Sequence, residues 1–392
     1  VGDLLFDRSN NTATRINKDG LIEGVLADVP RLNYEVTNGV VDSCPHLLLE
    51  MDSTNTYLNS EDVSQWSKGA GLTVTTNQMT APNGTLTADK IQKTSQSYTY
   101  VRQSLTTGSK SSFSMFVKKG NYRYIGIRNN QTGSVTHSVF DFDTKAFVVS
   151  LSDHTLSFVE YPNGWFRLKD TRTITSDTTG FRGVALTNST GSEISTNIPI
   201  NSFVYLWGGQ FEDTKEYVSS YIPTTSQQSR ASESCTGAGD VNTFNSVEGI
   251  LYAELKRDIA TDNGFRRINI NDGSLNNTVR LGYSTVTNEI KGVVTVGGVT
   301  QCALVFAGLS VTSFRKMALL YRANQFELWV DGSKRAEDTS GSTFSTGTLN
   351  DLSFEQSNAS DKLRAKVKDV RYYDTDGMSN TEITNLLTQL TQ

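Results

Sequence analysis

Six side chains have the types that sugar recognition uses: Trp165, Arg167, Tyr122, Tyr124, Arg128 and Trp329. A pyranose rests its C–H face on flat aromatic surface, and planar polar groups hydrogen-bond its hydroxyls in pairs. Strand parity sorts the six. With Phe166 and Leu168 inward, Trp165 and Arg167 point out of the same strand. With Ile125 and Ile127 inward, Tyr122, Tyr124 and Arg128 share an outer face. These five are the preferred glycan platform, and the plain alternative is that they cover a sheet edge or a subunit contact. Trp329 is opposite in parity to Phe326, Leu328 and Val330 and reads as a second platform or an interdomain plug. Trp207 reads as core and Trp66 as a staple on a short helix.

Hydrolysis of a glycosidic bond needs two carboxyls flanking it, about 5 to 9.5 Å apart. The candidates are Asp141 with Asp143, Glu212 with Asp213, and Glu254. Adjacent strand residues point to opposite faces, which removes Glu212 with Asp213 as a pair. Asp141 and Asp143 share a face but sit side by side rather than across a substrate. His46, His137 and His154 lack metal-ligand spacing to one another or to cysteine, and no Gly-x-Ser-x-Gly elbow occurs. The expectation is a protein that is not an enzyme and carries no cofactor. Calcium stays open, because its ligands are dispersed loop oxygens. Asp374, Asp376 and Gly377 give an Asp-x-Asp-Gly fragment, but Glu382 falls one residue short of the loop's last acidic position, so a solvated turn is the expected role.

The chain has 392 residues, enough for two or three domains of roughly 100 to 200 residues each. A net charge of −5 argues against nucleic acid as the main partner, since phosphate binding needs clustered Lys and Arg. Neutral glycans remain compatible. Cys44, Cys235 and Cys302 are odd in number and widely spaced, which fits unreactive thiols in a reducing cytoplasm better than a disulfide scaffold. No apolar run approaches the ~20 residues a bilayer needs, and no secretory signal opens the chain, so membrane insertion is not expected. The start at Val1 rather than Met implies that a residue or a segment precedes it.

The elements that must position these residues read as strands. Residues 1–57 hold three short apolar clusters, too little to bury a core alone, and are expected to wrap on a neighbouring domain or a symmetry mate. A short helical turn near residues 58–66 is predicted, capped by Asn59 or Ser60 with Val63 and Trp66 on one face. Residues 73–93 alternate around Asn83 and Gly84, a hairpin signal. Phe113, Met115 and Val117 share one face, and strands follow at 122–130, 138–143, 164–170, 181–187 and 203–212. After a polar seam at 226–239, further strands are predicted at 248–255, 265–271, 278–284, 289–298, 316–322, 326–332 and 366–374. Ser379 with Glu382 makes a capping box for a helix bearing Ile383, Leu386, Leu387 and Leu390. The fold class is all-β: two antiparallel β-sandwich (jelly-roll) domains, an irregular N-terminal arm and a short C-terminal helix. The domains are 1–57 (arm), 58–225 (first sandwich), 226–239 (linker) and 240–392 (second sandwich).

Residues 205–230, YLWGGQFEDTKEYVSSYIPTTSQQSR, together with 113–130 and 163–170, resemble the closing edge of carbohydrate-binding β-sandwiches repeated through bacteriophage fibre proteins. Thr14, Arg15, Asn17, Gly20 to Glu23, then Pro30 to Leu32 and Tyr34, then Leu47 to Glu50 resemble the arm ahead of such modules. Residues 240–392, with Phe326, Leu328, Trp329 and Val330 before an Asp-Gly turn, resemble concanavalin-like (laminin G-like) lectin sandwiches. Hydrolases of that fold carry a Glu-x-Asp-x-x-Glu strand, which is missing here. The resemblance implies a virion structural protein of head or tail, adhering weakly to cell-surface or environmental glycans. It also implies a homotrimer with other virion proteins as partners, and an arm exchanged between protomers. The alternatives are an accessory part of a polysaccharide depolymerase and a ligand-free spacer.

Overall fold

The computed structural model describes residues 4–107, 109–130, 134–173, 178–260, 264, 266–355 and 362–392. The chain is all-β with one α-helix at its C-terminal end among the described residues. Two antiparallel sandwiches, each with its own core, account for most of it.

In the first sandwich one sheet runs Leu72–Met79, Ala88–Lys93, Phe203–Asp213, Lys110–Lys119, Trp165–Thr173, His154–Glu160. Its partner runs Ala146–Val149, Thr136–Asp141, Tyr124–Asn130, Thr178–Leu186, Tyr100–Thr107, Ser67–Lys68. The alternation read from the sequence decides what lies between them. Phe113, Met115, Val117, Phe166 and Leu168 meet Ile125, Ile127, Phe140, Val184 and Leu186, all buried. The first hairpin turns at Asn83 and Gly84, where Gly84 takes φ +83, a conformation open to glycine at little cost, and the Asn83 Oδ1 accepts from the Thr85 amide at 3.0 Å.

The helical turn near residue 60 is a single 3-10 turn, Val63–Gln65, capped by Asp62 rather than by Asn59 or Ser60. Asn59 is in the left-handed region at φ +47, and the Ser60 hydroxyl is engaged by the Tyr221 hydroxyl at 2.7 Å. Trp66 still anchors the turn, donating to the Leu58 and Asn59 carbonyls.

The second sandwich pairs a seven-stranded sheet, in the order Ser333–Asp338, Gln325–Val330, Arg315–Arg322, Gly249–Lys256, Ala365–Tyr373, His46–Leu49, Leu32–Asn33, with a five-stranded one. The five run Val299–Ala307, Glu289–Val296, Thr278–Tyr283, Arg266–Asn271, Asp351–Ser353. Leu251, Ile268, Leu281, Val294, Leu319 and Leu328 lie between them. The helix Asn380–Thr391 begins at the Ser379–Glu382 capping box and lays Ile383 and Leu387 on the outer face of the seven-stranded sheet.

Residues of the arm wrap on both sandwiches of their own chain. Leu47 pairs with Val367 in the second sandwich, and Ser53–Asn55 pairs with Gln228–Arg230. The hairpin Ala13–Ile16 with Ile22–Val25 lies across the first sandwich, where Ile22 joins Phe116, Trp165 and Trp207 in one apolar cluster. Buried ion pairs lock this arrangement. Glu233 takes Arg8 at 2.9 Å and Arg31 Nε at 2.6 Å, and Glu50 takes Arg31 at 2.9 Å.

Candidate functional site

The predicted five-residue glycan platform does not form. Parity holds for Trp165 and Arg167, which face away from Phe166 and Leu168, but the arm covers that face. Trp165 is 2% exposed and donates through Nε1 to the Thr80 carbonyl at 3.0 Å. Arg167 is buried against Ser114. Tyr122 turns inward, its hydroxyl donating to the Thr187 carbonyl at 2.9 Å, because it precedes the strand that starts at Tyr124 and escapes that strand's parity. Tyr124 is half-buried, with the Arg123 guanidinium 5.2 Å above its ring. Trp329 is neither a platform nor an interdomain plug: the C-terminal helix covers it, and its Nε1 donates to Glu327 at 2.8 Å. Trp207 is buried under Tyr221, ring centroids 4.8 Å apart.

The remaining residue, Arg128, leads to an open aromatic face that sequence reading missed. On the outer side of the strands Tyr100–Thr107, Thr178–Leu186 and Tyr124–Asn130, the guanidiniums of Arg102 and Arg128 both lie between two rings. Arg102 sits 4.9 Å from the Tyr100 centroid and 3.8 Å from that of Phe181; Arg128 sits 4.1 and 4.3 Å from the same two. Tyr98, 51% exposed, extends the surface from Tyr100 at 6.3 Å. Cation–π stacking of this kind contributes roughly 0.5 to 2 kcal/mol per contact.

A bare backbone strip allows the two arginines to lie side by side. Gly183 is the residue directly opposite both Arg102 and Arg128 in register. A Cβ there would stand 2.1 Å from the Val101 carbonyl oxygen and 2.7 Å from the Arg102 Cα. The sequence signal was the alternation Tyr98, Tyr100, Arg102 around a buried Val101, which matches the outward set Phe181, Gly183, Ala185.

The charges on this face are unevenly matched. Arg128 is bidentate with Glu193, at 2.7 and 2.9 Å, and His137 Nε2 is 3.2 Å from the same carboxylate. Burial pushes the Glu193 carboxyl up, but His137 and Arg128 outweigh it and hold it below the ordinary carboxylate range. Arg102 has no carboxylate partner among the described residues, and its buried Nε finds no acceptor there. Among the described residues the face therefore presents one guanidinium fork without a carboxylate, stacked on Tyr100 and Phe181, with Tyr98 beside Tyr100.

The candidate acids are tied up structurally. Glu212 accepts from the Ser112 hydroxyl at 3.1 Å and from the Ser219 amide at 3.0 Å. Asp141 is gripped by Arg123 at 2.8 and 2.7 Å, which holds its carboxyl down at about 2. Asp143 pairs with Lys119, and its amide donates to Asp141 at 2.9 Å. Asp374 accepts from the Asp376 amide at 2.9 Å and from Asn245 at 2.8 Å, a turn tied to a distant loop. Among the described residues no group of three or more His, Cys, Asp or Glu stands close enough to hold a metal ion.

The architecture makes this chain an all-β protein of two packed sandwiches. No family model and no curated protein matches it. Among solved structures, domains LG4-5 of the mouse laminin alpha1 chain align over 86% of this chain and 92% of that chain, at 12% identity and a TM-score of 0.27. So loose a superposition carries no argument, and the fold class rests on the sheet order and cores described above.

Proposed function

We propose that this chain is a non-enzymatic adhesion protein that holds glycans on the open face of its first sandwich. The observation that carries the reading is the Arg102 guanidinium, stacked between Tyr100 and Phe181 with no carboxylate partner among the described residues. Rings beside a free planar donor are what a pyranose with vicinal hydroxyls or a carboxylate needs. The site is flat and small, so one copy binds weakly and useful adhesion comes from several copies acting together. The likeness of residues 14–50 and 205–230 to phage fibre segments supports a place on a phage-like virion, as a fibre or decoration component in a homotrimer with other virion proteins.

A panel of surface-immobilised polysaccharides tests the binding step. The wild-type chain should be retained by at least one of them, and Arg102→Ala should weaken retention tenfold or more. Equal retention of wild type and Arg102→Ala, or none at all, removes this face as the site. Release of new reducing ends from the polymer would replace the adhesion reading with the depolymerase one. The mass of the intact assembly checks for three copies.

A further inference from the structure

Beneath the arm lies a second site, distinct from the open face. A cavity of about 290 Å³ is enclosed by the arm, the covered sheet of the first sandwich and the edge of the second, with the exposed Thr37 at its rim. That volume is at the low end of small-molecule pockets and suits a ligand of monosaccharide size.

Its charges do not balance. Glu35 is taken by Lys256 at 2.9 Å and Lys366 at 2.8 Å, and Lys366 also reaches Asp258 at 3.3 Å. Glu50 is taken by Arg31 and Arg230, and Arg15 by Glu23. Every carboxylate on the wall is thus committed. Among the described residues two cations on this wall are in no ion pair, Arg167 and Lys169, neighbours on one face of Trp165–Thr173.

Arg167 is 4% exposed, yet its polar neighbours are neutral hydroxyls: Ser114, at 3.2 and 2.9 Å, and Tyr161. Lys169 has neither a hydrogen bond nor an ion pair among the described residues. Burial, then Arg167, then Lys366 push its ammonium down to about 8, against the weaker opposing pull of Asp258 and Glu50, both already paired with other cations. Largely buried cations held in no ion pair are costly, and an anion supplied from outside lowers that cost. Tyr34, Tyr161 and Tyr221 supply ring surface on the same walls.

We propose that this cavity binds a small sugar acid, a hexuronate, whose carboxylate is taken by Arg167 and Lys169 while its ring lies among the three tyrosines. The site differs from the open face in lining and shape and shares no residue with it, so the two stand or fall separately.

Calorimetric titration of the full chain with galacturonate and glucuronate tests it. Saturable binding is expected at neutral pH, with glucose, galactose and acetate each at least tenfold weaker. Lys169→Met keeps the stem and removes the charge, and it should weaken uronate binding tenfold or more while leaving the melting temperature unchanged. Raising the pH from 7 to 9.5 should weaken binding to the wild type, as Lys169 loses its proton, and should not affect binding to Lys169→Met. Absence of saturable uronate binding, equal binding of the neutral sugars or acetate, or an unchanged affinity in Lys169→Met overturns the proposal. Arg102→Ala should bind uronate as the wild type does, which separates this result from failure of the open-face reading.

Discussion

The two outer faces of the first sandwich present the same kinds of side chain and have opposite fates. On one, Trp165, Arg167, Trp207 and Phe116 point away from the core and are buried under the arm hairpin and Tyr221. On the other, Tyr100, Arg102 and Phe181 point away from the core and stay part-exposed, with the exposed Tyr98 beside them. Alternation along a strand fixes which side of a sheet a residue occupies. Whether that side meets water depends on a segment more than a hundred residues away, and it is the arm that makes the difference here.

The largest effect should come from breaking the lock that holds the arm down. Glu233 bridges Arg8 and Arg31 and also accepts from the Glu50 amide at 2.9 Å, all of it buried. Removing one partner of such a network costs about 3 to 5 kcal/mol, because uncompensated charge stays behind. Glu233→Gln should therefore lower the chemical-denaturation midpoint by a comparable free energy. Hydrogen exchange in the hairpin Ala13–Ile16 with Ile22–Val25 should accelerate, and Trp165 should become accessible to an aqueous fluorescence quencher. An unchanged quenching profile would mean that the covered face stays covered without the lock.

Acid attacks the same attachment from the second sandwich. Burial raises the Glu35 carboxyl, but Lys366 and Lys256 outweigh it and hold it down at about 2, against 4.5 for the free group. A depressed folded value means that the stabilisation is complete above pH 4.5 and is lost as the pH falls toward 2. The loss is on the order of 3 kcal/mol for this group, at about 1.36 kcal/mol per pKa unit. Melting temperatures followed from pH 6 to pH 2 should fall along that limb, and less steeply in Glu35→Gln. Parallel profiles would show that the clamp contributes nothing.

Much of the fold was legible because period-2 alternation is a local signal. The core positions Phe113, Met115, Val117, Ile125, Ile127, Phe166 and Leu168, the Asn83–Gly84 hairpin and the Ser379 capping box follow from neighbours a few residues apart. The cover on Trp165 is not local: it depends on Ile22 and on the Thr80 carbonyl, respectively 143 and 85 residues away in sequence. Parity places Trp329 on the correct side of its strand, but the helix lying on it starts only at Asn380. Arg102 went unnoticed because its strand, Tyr100–Thr107, has little apolar alternation beyond Val101, and only pairing with Thr178–Leu186 brings it against Phe181.

The smallest expected change in stability belongs to the open face, and it gives the comparison its sharpest form. Arg102 has no ion pair among the described residues and is part-exposed, so Arg102→Ala forfeits its stacking on Tyr100 and Phe181. Cation–π contacts near the surface contribute roughly 0.5 to 1 kcal/mol each, so losing both should cost no more than about 2 kcal/mol. Trp165→Ala on the covered face should instead cost about 3 to 5 kcal/mol, the price of emptying a buried aromatic site. Denaturant midpoints of the two variants, measured beside their retention on a glycan surface, should therefore move in opposite senses: Arg102→Ala stable and non-adhesive, Trp165→Ala unstable and, while still folded, adhesive. If Arg102→Ala destabilised the chain as strongly as Trp165→Ala, the guanidinium would be a structural brace between two strands, and the open face would have no side chain held in reserve for a ligand.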